Sequence, residues 1–133
     1  MSDNYSFLTE DMVWSFSRLN SFYQCPWQFK LQYIECEKGE NNFFSEFGTQ
    51  MHSLLEAYSS GKLEIYELPN TYEQTYASIV IHKAPPNKYV DLNQKYYDGG
   101  YDYLMSFEGF GDYETVAVEK EINFKINNIN IKG

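Results

Sequence analysis

Residues 47–58 read "FGTQMHSLLEAY". Phe44, Phe47, Met51, Leu54, Leu55 and Tyr58 recur at helical spacing, which predicts a half-buried helix from about Phe43 to Ser60, ended by Gly61. Gly48, His52 and Glu56 fall at successive steps of four and share one row beside that apolar stripe. A histidine so placed is either a ring hydrogen-bonded to a neighbour or a metal ligand. Gly48 leaves the turn before it open to another backbone or a ligand.

On the N-terminal side, "WSFSRLNSFYQC" (14–25) gives a short helix with Ser17 as its expected N-cap and Leu19, Phe22 and Tyr23 as its stripe. Pro26 suits the first turn of a second helix, "PWQFKLQYIE", with Trp27, Leu31 and Ile34 on one side and Phe29 and Tyr33 on a flank. The aromatics Phe16, Phe22, Tyr23 and Trp27, with Arg18 and Lys30, offer either a core face or a small surface for stacking bases and touching phosphates. Cys25, at the junction of the two helices, reads as a buried thiol; one cysteine builds no cluster, and Cys36 stands at no CxxC spacing.

On the C-terminal side, "TYEQTYASIVIH" is expected to be helical and "KAPPNK" a loop. "YVDLNQKYYDGGYDYLMSFEGF" reads as a helix weakened at Gly99–Gly100. From Glu114 on, Val116, Val118, Ile122, Phe124 and Ile126 carry a strand pattern, and Asn127–Asn128 supplies a tight turn into "INIK". Glu119 and Glu121 are then expected on one sheet face, while His82 has no evident partner.

The chain is thus expected to be α/β (α+β as it stands), with residues 14–110 mainly helical and 113–133 a β-hairpin. Its 133 residues allow one ordinary domain or a fragment of one, and 43% hydrophobic with 19% aromatic residues argues for a packed unit. A net charge of −9 counts against a free-standing, non-specific nucleic-acid binder. The first residues carry acids and lack both a basic and an apolar leader region. No run approaches the roughly 20 apolar residues that span a bilayer. With two cysteines and no disulfide framework, a cytoplasmic chain without a membrane partner is expected. P-loop, HExxH, GxSxG and DxDxDG patterns are absent from the sequence.

Three segments resemble, in order, the motifs of RecB-like nucleases of the PD-(D/E)XK superfamily, including the AddB-type and CRISPR-adaptation exonucleases. They are "WSFSRLNSFYQCPWQFKLQYIE" (14–35), "FGTQMHSLLEAY" (47–58) and "TVAVEKEINFKINNINIKG" (115–133). The resemblance implies the N-terminal part of a metal-dependent DNA exonuclease acting in recombination, repair or phage DNA processing, with a helicase or recombination partner. It makes His52 a ligand of Mg²⁺ or Mn²⁺, Gly48, Thr49 and Glu119 parts of its motifs, and Ser17, Arg18 and Lys30 DNA contacts. Cys25 takes the position of the first cluster cysteine of iron–sulfur relatives, whose other three have no counterpart, so a cluster is not expected. The catalytic Asp and Glu-x-Lys are implied beyond Gly133, so the 133 residues alone are expected not to cut DNA. A different reading is an acidic, non-catalytic module, derived from such a nuclease, that binds a basic protein.

Overall fold

The computed structural model describes residues 10–133. The fold is mixed α/β, and the chain forms two compact units: residues up to Glu40 together with Lys120–Gly133, and Asn41–Glu119.

In the first unit, β1 (Trp14–Ser15) leads into α1 (Phe16–Gln24), and α2 (Pro26–Phe29) follows at once. Ser15 caps α1: its Oγ accepts the Arg18 N–H at 3.2 Å. Ser17, expected to be the cap, lies one residue inside the helix; Ser15 is the residue with the extended backbone that a cap requires. Cys25 closes α1 and opens α2 with an extended conformation, φ −156° and ψ 100°. A wide π-turn over Lys30–Ile34 continues α2. That turn inserts an extra residue and shifts the phase of a 3.6-residue reading. Phe29, assigned by that reading to a flank, is the buried residue, packed among three aromatic rings, while Trp27 is 64% exposed. Trp14 stacks on Phe29 at 5.7 Å, and Phe22 and Tyr33 meet the same ring at 5.4 and 5.2 Å. Phe16 and Tyr23 face solvent rather than a core.

The sheet of this unit has the order β1-β3-β2, with β2 (Asn123–Ile126) antiparallel and β1 parallel to β3 (Ile129–Lys132). Asn127 and Asn128 take φ of 48° and 66°, the pair of positive values that a two-residue hairpin turn demands. Backbone hydrogen bonds in both directions between Ile122 and Gly133 end the ladder. Val116 and Val118, expected on the strand, lie outside it: β2 starts at Asn123.

The second unit packs α3 (Phe43–Ser59), α4 (Leu68–Ile79) and α5 (Leu92–Ser106). Asn42 and Ser45 cap α3 reciprocally: the Asn42 side chain accepts the Ser45 N–H at 3.1 Å, and Ser45 Oγ accepts the Asn42 N–H at 3.0 Å. At the other end Gly61, with φ 73°, donates to the Tyr58 carbonyl and Lys62 donates to that of Ala57, the Schellman ending. Leu54, Leu68, Tyr72 and Leu104 form the core. The most buried row of α3 is Phe43, Glu46, Gln50 and Leu54, one step around from the expected stripe; Phe44 is 44% exposed. α5 runs unbroken through Gly99–Gly100, because a side chain at 100 would meet Tyr72 Oη at 2.5 Å and the glycine lets the two helices close.

Candidate functional site

The two caps of α3 fix the helical phase that puts Gly48, His52 and Glu56 on one row, facing an open hollow of about 500 Å³ that Thr49 and Ser53 also line. His52 Nε2 stands 2.5 Å from Oε1 of Glu119. Both side chains are more than half exposed, 61% and 56%, so a dissolved ion can reach either. Glu119 reaches this position from a bend in which its φ is 50°. The expected common sheet face for Glu119 and Glu121 is not formed: Glu121 lies in the other unit, with Oε2 2.7 Å from Lys132 Nζ.

The donor set bears on which ion fits. An imidazole nitrogen and a carboxylate oxygen suit Mn²⁺, whereas Mg²⁺ asks for oxygen. His52 and Glu119 are the two residues here that would offer such an ion a nitrogen and an oxygen donor. Among the described residues no group of three or more His, Cys, Asp or Glu side chains is placed to hold a metal ion. Thr49 turns its hydroxyl back onto the Ser45 carbonyl at 2.9 Å, and Gly48 has nothing within 4 Å of its side-chain position. The row is thus left open above His52.

The residues expected to touch DNA fall apart. Ser17 and Arg18 line one hollow at the end of the sheet. Lys30 is paired with Glu35 at 3.1 Å and lies over the Trp27 ring. Cys25 is a free, partly exposed thiol and Cys36 an exposed one with φ 55°.

Sequence reading found no partner for His82. Its Nδ1 lies 2.6 Å from Glu46 Oε1, and Glu46 Oε2 accepts the backbone N–H groups of Ile81 and His82 at 3.0 and 2.9 Å. The His82 amide foremost, with the His82 ring and the Ile81 amide, holds the Glu46 carboxyl below the usual carboxylate range against the opposing effect of burial. The available signal was an acid three residues after Phe43, on a row otherwise suited to burial. Glu46 ties the start of α3 to the end of α4, which steadies the helix that carries His52.

No helix among the described residues is long and apolar enough to cross a membrane. No curated protein and no solved structure matches the chain. The profile of the PD-(D/E)XK nuclease superfamily matches residues 13–132, from β1 to the end of β3, and the chain belongs to that superfamily.

Proposed function

We propose that the chain is the N-terminal part of a RecB-like, divalent-metal-dependent DNA exonuclease in which His52 and Glu119 are ligands on one side of the metal. The observation that carries this reading is the meeting of His52 with Glu119, the centres of two separate sequence motifs. A divalent ion held there supplies Lewis acidity toward a phosphodiester. The chain's own contribution is to hold the two donors in register. α3, pinned by its caps and by Glu46, fixes His52, and the open row at Gly48 leaves room for a strand beside it. In this reading a role in recombination, repair or phage DNA processing follows from the RecB-like resemblance.

The test uses the gene product that carries this chain, with linear DNA and Mn²⁺. His52→Ala is expected to lower cleavage about 100-fold or more, and Glu119→Gln at least tenfold, as loss of a ligand or its supporting partner does. Undiminished cleavage by His52→Ala contradicts the assignment.

A further inference from the structure

Phe47, Met51 and Leu55, part of the apolar stripe that spacing marks on α3, are only half-buried and line a hollow of about 600 Å³ within the second unit. Its facing wall is α5, with Leu92, Tyr96 and Tyr103 on one side of that helix. From Leu92 to Tyr103 the wall runs about 16 Å, taking ~1.5 Å per residue. A volume of this size with an apolar and aromatic lining suits a small ligand. Two features go beyond an uncovered face. Gly99 stands inside α5, where glycine costs stability, yet a Cβ there would meet nothing within 4 Å. Helix packing accounts for Gly100 and not for Gly99; the bare position at 99 keeps the hollow deep. The second feature is Lys95, the one charged residue of the lining. It forms no ion pair among the described residues. The acids one turn to either side of it are engaged elsewhere: Asp91 accepts from Asn93 at 2.9 and 3.1 Å, and Asp98 from Gln94 at 2.7 Å. An apolar trough with an ammonium toward one end matches an apolar chain that ends in an anion.

We propose that this hollow binds a free acyl-chain carboxylate, its chain laid along Phe47, Met51 and Leu55 and its head at Lys95. The chain contributes by leaving water, and the carboxylate by a charge-assisted hydrogen bond from the ammonium. The proposal stands independently of the nuclease reading.

The test titrates octanoate, decanoate and octan-1-ol into the 133-residue chain by isothermal calorimetry. Decanoate is expected to bind about tenfold more tightly than octanoate, since each buried methylene is worth roughly fourfold. Lys95→Met should weaken octanoate about tenfold, the value of one charge-assisted contact, and change octan-1-ol by less than about twofold. Gly99→Leu places a good helix former where nothing stands in the way, so its side chain enters the hollow. It should weaken all three ligands at least tenfold while the helical circular dichroism stays native. Lys88→Met, at an exposed lysine outside the hollow, changes binding by less than about twofold. Absence of decanoate binding, equal affinity for octanoate and decanoate, native affinity in Gly99→Leu, or equal losses of octanoate and octan-1-ol in Lys95→Met overturns the proposal. A chain that binds none of the three and sediments as a dimer, returned to monomer by Gly99→Leu, gives the hollow to a second copy instead. His52→Ala binds as the native chain does, so failure of this site and failure of the metal assignment are separately visible.

Discussion

His52 and Glu119, separated by 67 positions in the sequence, meet with Nε2 and Oε1 2.5 Å apart. Neither is buried, so the pair owes nothing to exclusion of water and contributes little to stability by itself. An exposed contact of this kind, between the one histidine of a helical row and an acid on a bend, is better suited to receiving a ligand than to holding a fold.

The adjacent glycines of α5 are expected to respond in opposite directions. A Cβ at Gly99 meets nothing within 4 Å, so Gly99→Ala should stabilise by about 0.5–1 kcal/mol through helix propensity. A Cβ at Gly100 meets Tyr72 Oη at 2.5 Å and Phe47 Cε2 at 3.2 Å. Tyr72 is fully buried and its hydroxyl donates to the Tyr97 carbonyl at 3.0 Å, so it has nowhere to move. Gly100→Ala should destabilise by about 1–2 kcal/mol net of propensity. Urea unfolding of the two variants checks the pair; equal signs contradict the packing described.

Glu46 sets an acid limit on the second unit. Its folded-state pKa lies below that of the unfolded chain, so the unfolded chain binds more protons as pH falls past the ordinary glutamate value of about 4.3. The stabilisation is complete above that value and is lost as pH falls through the depressed one. Glu46→Gln should be less stable than the native chain at neutral pH, and the gap should narrow on acidification. Urea midpoints across the acid range measure it. A gap that stays constant shows that the Glu46 carboxylate is not what titrates.

The cap of α1 gives a prediction in which two nearby serines differ. Ser15→Ala removes the acceptor of the Arg18 N–H and should cost about 1 kcal/mol. Ser17→Ala, one residue inside the helix, should stay within about 0.5 kcal/mol. Thermal unfolding of the two variants is the check, and a larger loss at Ser17 returns the cap to the position read from the sequence.

Much of this architecture is legible in the sequence where local chemistry decides it. Gly61 ends α3 and Asn127–Asn128 turns the hairpin because each supplies a backbone conformation that few other residues adopt. The row Gly48–His52–Glu56 follows from helical spacing alone. What escaped is what depends on partners. Phe29 rather than Trp27 is buried because the rings of Trp14, Phe22 and Tyr33 gather on it, partners that helical periodicity does not announce. Val116 and Val118 have the residues of a strand, but a strand exists only where another lies beside it. Burial of Glu46 depends on two backbone amides and a ring beyond α4, and none of these is visible from α3. The meeting of His52 with Glu119 likewise needs the fold, although each residue was singled out within its own motif.

The most direct test of the metal assignment uses the fact that the chain has two histidines. One is His52; the other, His82, is occupied by Glu46 and serves as an internal reference. Mn²⁺ titrated into the native chain should broaden the ring resonances of His52 at concentrations that leave those of His82 sharp, and Glu119→Gln should weaken that selectivity. Equal broadening of both rings, or selective broadening unchanged by Glu119→Gln, contradicts a metal edge built from His52 and Glu119.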